Sequence, residues 1–137
     1  MPLVWKDEYS VGVKELDDQH KKFVGILAKL FGALNHESGE VKKEIVFGIF
    51  GELAEYANIH FATEEKYFDQ FKYEEAEPHK KEHRIFEEKI VQLKGQYLNN
   101  ELSTTFDLVD YLEDWLLDHL ASMDKKYTNC FHDNGLF

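Results

Sequence analysis

With 137 residues, two prolines, eight glycines and no Ser/Gly/Pro-rich linker, the chain is sized for one domain with a real hydrophobic core. A net charge of −11 argues against nucleic acid, whose phosphates reward clustered Lys and Arg, and against anionic membranes; its ordinary consequence is solubility. The apolar run Ile45 to Gly51 is too short for a bilayer, the N-terminus carries no signal-peptide core, and the single Cys130 cannot close an internal disulfide, so a cytoplasmic protein is expected.

Residues 1–15 read as an N-terminal arm, after which the apolar pattern becomes helical. The first stripe runs through Leu16, His20, Phe23, Val24, Leu27, Leu30, Phe31 and Leu34, the i, i+3, i+4, i+7 spacing of an amphipathic helix. Asp17 or Asp18 offers the acidic first turn, and Asn35 to Gly39 the break. A longer second stripe follows: Val41, Ile45, Ile49, Phe50, Leu53, Tyr56, Ala57, His60, Glu64, Tyr67, Phe68 and Phe71. Gly48 and Gly51 inside it either admit a neighbouring helix or are simply tolerated.

Pro78 sits where proline is favoured, in the first turn of a third helix that continues through His79, His83, Phe86, Ile90 and Leu93 to end near Gly95–Asn100. Ser103-Thr104-Thr105 with Asp107 reads as the capped start of the fourth. Its stripe is Leu108, Leu112, Trp115, Leu116, His119, Leu120 and Met123. No stretch alternates apolar and polar residues long enough for a strand. The chain is therefore read as all-α: an up-down-up-down antiparallel four-helix bundle over residues 16–127, with a short extension, 128–137.

Seven polar residues lie along or beside these apolar stripes: His20, His60, Glu64, His79, His83, His119 and Asp124. Side chains four apart share a helix face, which pairs His60 with Glu64 and His79 with His83. In an antiparallel bundle the start of the first helix, the end of the second, the start of the third and the end of the fourth all meet at one end. The seven residues therefore converge. Groups of this kind are not aimed into a core without something to bind. His36 and His132 fall outside the pattern and are expected in solvent.

Seven donors are too many for one ion, since a structural zinc takes about four ligands. Calcium and magnesium prefer oxygen donors, whereas imidazole with carboxylate suits iron, manganese, cobalt or zinc. Two octahedral ions offer about twelve positions. Five histidines, two bridging carboxylates and a bridging hydroxide fill all but one, leaving room for one small ligand bound end-on. Asp124 strains this picture, because five residues after His119 a regular helix has turned by about 140°. The helix must widen or unwind at residues 120–124, as a π-bulge does, for Asp124 to join.

These residues carry a resemblance. The segments Val11-Gly-Val…Leu16-Asp-Asp-Gln-His20-Lys, His60-Phe-x-x-Glu64-Glu, His79-x-x-x-His83 and Trp115-Leu-x-x-His119…Asp124-Lys-x-Tyr127 are similar to those of the bacterial hemerythrins, over Trp5 to about Tyr127. The resemblance implies a di-iron centre with an oxo or hydroxo bridge. His79, His83 and His119 would hold a saturated iron, His20 and His60 the five-coordinate iron where O2 binds, and Glu64 and Asp124 would bridge. It implies reversible uptake of O2, for transport, storage or delivery to an oxygen-consuming acceptor, and Leu116 as a wall of the O2 pocket. Similar proteins often carry Tyr-Pro before the third-helix histidines; here Tyr73 is followed by Glu74, which leaves the second interhelical turn open.

Rival readings are specific. His79-Lys-Lys-Glu82-His83 spells the H-x-x-E-H of inverted zinc proteases, but a protease leaves the other five residues unexplained. A di-iron oxidase, peroxidase, NO-handling or iron-storage or repair protein would be richer in carboxylate, like the Glu-x-x-His ferritin-type sites. Histidine-rich ligation favours the ferrous state, so a carrier is expected rather than an enzyme. An oxygen, NO or redox sensor would be expected to carry a signalling module besides. A monomer or weak oligomer is expected, with the tail packed over the bundle, in a dimer contact, or disordered.

Overall fold

Each apolar stripe folds as the helix its period dictates. The computed structural model of the chain describes residues 4–34, 43–99 and 103–137. It contains α1 (Lys14–Leu34), α2 (Lys43–Phe71), α3 (Ala76–Leu98) and α4 (Ser103–Asp114). No strand occurs among the described residues. Beyond α4 the chain runs without a break into a wider π-helical stretch, Trp115–Met123, then a 3-10 turn, Asp124–Tyr127, and a short α5, Thr128–Asp133. Helices α1 and α2, α2 and α3, α3 and α4, and α4 and α1 pack side by side, which closes a four-helix bundle.

The boundaries follow local chemistry. α1 begins at Lys14, ahead of the expected arm boundary, and Asp17 explains why. Its carboxylate accepts hydrogen bonds from the Ser10 hydroxyl at 2.6 Å and the Val11 amide at 2.8 Å, so the arm is folded onto the helix start. Asp18 instead points outward to Lys14, 2.8 Å away. α2 ends at Phe71, where Lys72 takes a left-handed φ of 53°, and Pro78 lies in the first turn of α3, as its fixed φ allows. Gly48 and Gly51 approach nothing; a Cβ on either would meet open space. Val41, His36 and the Asn35–Gly39 break lie outside the described residues.

The core divides in two. A large cluster, including Phe23, Leu27, Leu30, Ile49, Leu53, Phe86, Leu93, Leu108 and Leu112, fills the body of the bundle. A smaller one, Val11, Val13, Leu16, Phe68, Tyr127 and Phe131, closes one end. The seven polar residues lie between the two. Along α1, for example, His20 separates Leu16 of the end cluster from Phe23 of the body.

The tail builds part of that end cap, and here one sequence expectation is corrected. His132 is not in solvent but half-buried, with Nε2 2.7 Å from the Gly12 carbonyl oxygen, and the Thr128 hydroxyl donates to the Val11 carbonyl at 2.7 Å. Gly12 has φ +73°, and a Cβ there would come within 3.0 Å of the His132 ring, so both backbone conformation and close approach require glycine. Met123, expected in the core, is only half-buried, and Cys130 is a free thiol.

Leu53 is fully buried in the body cluster, away from the polar layer. Leu53→Ala is expected to cost about 2–5 kcal/mol of unfolding free energy, measured by urea denaturation, without altering metal content. A loss under about 1 kcal/mol would contradict this packing.

Candidate metal centre

All seven polar residues singled out in the sequence are buried, and the fold brings them together. They form two sets of four donor atoms, each within 4.8 Å of one another: Glu64, His79, His83 and His119; and His20, His60, Glu64 and Asp124. Glu64 belongs to both. One of its oxygens lies 2.9 Å from His83 Nε2, 3.4 Å from His60 Nε2 and 3.7 Å from His79 Nε2. Asp124 also faces both ways. Its Oδ1 is 2.8 Å from His79 Nε2 and 3.0 Å from His119 Nε2, while Oδ2 is 3.0 Å from His20 Nε2.

Asp124 reaches this position because the helix widens before it. The Asp124 amide donates to the His119 carbonyl, an i to i−5 bond, and the Ser122 hydroxyl reaches back five residues to Leu117 at 3.1 Å. The widening expected at 120–124 is thus real but begins earlier, at Trp115. The extra residue per turn brings Asp124 round towards His119, which a regular helix would not do.

Ordinary hydrogen bonds account for only part of this cluster, His83 Nε2 with Glu64 and His20 Nε2 with His60 Nε2, both at 2.9 Å. His79 Nε2, His119 Nε2 and both Asp124 oxygens are buried and close, yet none has a properly aligned hydrogen-bond partner, and neither has Glu64 Oε2. Lone pairs converge where donors ought to face acceptors. That geometry fits cations held between the groups, and the mixture of imidazole and carboxylate fits iron or a similar transition metal.

Support comes from residues that helical spacing did not identify. His60 Nδ1 donates to the Gln19 side-chain oxygen at 2.6 Å, and the Gln19 amide donates to Thr63 at 3.1 Å. His83 Nδ1 donates to Glu65 at 3.0 Å. Each bond fixes the ring so that Nε2 faces the cluster. Aromatic faces hold the rings from the other side: Phe61 lies flat on His83 and Trp115 flat on His119, both at 3.9 Å, and Tyr56 is stacked on His60 at 5.2 Å. Trp115 therefore does more than fill space. Glu82, the would-be base of the protease reading, lies outside both donor sets, where its charge acts on Tyr111.

The electrostatics follow from burial and crowding. Burial pushes His60 down to about 3, against the opposing pull of Glu64. Burial would also lower His79, but the Asp124 and Glu64 carboxylates outweigh it and lift the imidazole to about 10. Burial raises Glu64 and Asp124, yet the surrounding histidines win and hold both carboxyls below the usual range.

In the metal-free protein a raised His79 contributes stability that is complete below about pH 6.5 and is lost as the pH climbs towards 10. A depressed His60 acts in the other window, weakening the fold as the pH falls from about 6.5 towards 3. Metal-free protein is therefore expected to show a falling thermal midpoint from pH 7 to 10. Metal-loaded protein should not, because the ligand nitrogen must already have shed its proton. Parallel midpoint curves for the two forms over that range would contradict the assignment.

Comparison with known proteins agrees with this geometry. Residues 11–130 match the hemerythrin HHE cation binding domain. A bacteriohemerythrin of Clostridium acetobutylicum is 30% identical over 126 residues, covering 91% of this chain and 98% of its own length. A myohemerythrin of Sipunculus nudus is 34% identical over 126 residues, covering 92% of this chain and 91% of its own. Crystal structures of hemerythrin mutants, with a leucine replaced by tyrosine or alanine, superpose with a TM-score of 0.82 at 25% identity, covering 95% of this chain and 98% of theirs. A bundle with this donor layer and these relatives belongs to the hemerythrin family.

Proposed function

We propose that the chain binds dioxygen reversibly at a centre of two iron ions, for transport, storage or delivery. The observation that carries this reading is the pair of four-donor sets that share Glu64, with the two oxygens of Asp124 turned to opposite sides. In this assignment His79, His83 and His119 would hold one iron, His20 and His60 the other, and Glu64 and Asp124, which reach both donor groups, would be shared between them. His20 and His60 offer one histidine fewer than the other side, so the small ligand would be accommodated beside them. When bound, the ferrous pair supplies the two electrons that dioxygen takes up and returns on release.

The protein's own part is to hold donors in place and keep water away. Gln19 and Glu65 fix two imidazoles by their outer nitrogens, and Phe61, Trp115 and Tyr56 wall the rings with apolar surface. Leu116 is buried in the same apolar cluster and serves as a wall of the ligand pocket. A dry, close-fitting surround suppresses hydrolytic and oxidative side reactions of bound oxygen. Five imidazoles with two carboxylates also give less negative charge than a carboxylate-rich site, which favours the divalent state and a carrier over an oxidising enzyme. The free Cys130 suits a reducing compartment, and we place the protein in the cytoplasm. No described helix is long and apolar enough to cross a membrane.

The test is an anaerobically reduced, iron-loaded sample cycled repeatedly between oxygen and inert gas. A visible absorption band is expected to grow with oxygen and vanish on its removal over many cycles. Irreversible bleaching coupled to turnover of an added reductant would point to an enzyme instead. His20→Ala is expected to abolish uptake with helix content retained on circular dichroism, whereas Glu82→Gln should leave uptake unchanged.

A further inference from the structure

A groove of about 550 Å³ runs between α1 and α2 and leads to the His60 side of the centre. Its buried lining consists of Ile26, Tyr56 and His60, while Lys22, Gly25 and Ile59 stand at an exposed rim. Gly25 has nothing within 4 Å of where a Cβ would be, so the groove is unobstructed there. Tyr56 is the unusual member. It is 4% exposed, stacked on His60 with planes 15° apart, and packed against Phe23 at 5.2 Å. Its hydroxyl is buried and has no hydrogen-bond partner among the described residues.

An orphaned phenol hydroxyl is a costly thing to bury, and phenylalanine fills the same space without that cost. The chain uses phenylalanine at eleven positions, several of them in this same core. Tyr127, the other buried phenol of the site, also has an unpartnered hydroxyl, but it packs at the opposite, end-cap side with Phe68 and Phe131, away from the groove. Tyr56 and Gln19 border both the groove and the ring of His60, but Gln19 is already hydrogen-bonded to His60 Nδ1 and to Thr63, whereas the Tyr56 hydroxyl is unpartnered. Phe23 and Phe61 pack against the Tyr56 ring, and although Gln19, Glu52 and Glu55 also line the groove, none of them is hydrogen-bonded to the Tyr56 hydroxyl. The missing acceptor is best supplied by whatever small molecule binds beside His60.

We propose that Tyr56 contacts the ligand, its hydroxyl donating a hydrogen bond to the small acceptor bound on the His20/His60 side at the floor of the α1–α2 groove. This rests on the dioxygen-binding reading above. The donor stabilises a bound molecule that gains negative charge relative to one that does not, so it acts on ligand retention and not on the fold.

The experiment compares iron-loaded wild-type protein with Tyr56→Phe, using sodium azide as the probe. Azide affinity is read by absorption titration, and the azide infrared stretch is recorded in H2O and in D2O. The variant is expected to bind azide about 5- to 10-fold more weakly and to lose a D2O-dependent band shift present in the wild type. The metal-free variant should unfold at the same temperature as wild type or higher, because no protein partner is lost. Equal affinity with an unchanged band shift overturns the proposal, and so does a lowered midpoint of the metal-free variant, which would give the hydroxyl a structural role. If wild-type protein loaded with two irons takes up neither azide nor oxygen, the dioxygen reading falls and Tyr56's role with it. If both proteins take up both ligands alike, only the role of Tyr56 falls.

Discussion

Burying two carboxylates and five imidazoles in one layer of a small bundle is the constraint on which the rest of the structure turns. Carboxylates in an apolar interior are strongly disfavoured unless opposite charge sits beside them. Glu64 and Asp124 are both fully buried, and neither has a lysine or arginine partner within salt-bridge distance among the described residues. In the absence of metal, a proton retained by His79 offsets part of that charge. Divalent ions offset it far more completely, and they explain why so many lone pairs point at one another. The fold tolerates the layer because it is built for an ion.

The surrounding architecture follows from that layer. α1, α2 and the π-helical continuation of α4 pass from one apolar cluster, through one or two donors, to the other, and α3 begins at its donors and runs into the body, so that two hydrophobic clusters clamp the polar residues between them. One cluster is the body of the bundle. The other is assembled from the ends of the chain, where Val11 and Val13 of the arm meet Phe131 of α5, tied by Thr128 and His132 to the arm backbone. The π-helical stretch is the local distortion that lets one helix supply both His119 and Asp124. Such widening costs regular hydrogen bonding, and its place beside the donors agrees with the tendency of π-bulges to gather at functional sites.

Much of this was legible along the chain because helical periodicity is local. The stripe through Leu16, His20, Phe23 and Leu27, the i, i+4 pairs His60–Glu64 and His79–His83, and the misfit of Asp124 five residues after His119 all lie within a turn or two of sequence. Contacts between distant segments left no such mark. Gln19 meets His60 across 41 positions, and His132 meets Gly12 across 120, so neither the ring support nor the end cap could be read from spacing. Gly12 carried a faint signal, since a glycine between two buried valines implies a backbone need, but its partner was out of view. Tyr56 was read as one more core aromatic because periodicity registers that a side chain points inward, not whether its hydroxyl finds a partner.

The central claim is that one buried layer holds two metal ions between shared carboxylates. X-ray absorption at the iron edge, combined with metal analysis of the oxidised protein, addresses it most directly. Two irons per chain with an iron–iron vector of about 3–4 Å are predicted. One iron per chain, or two with no iron–iron scattering, would contradict the account.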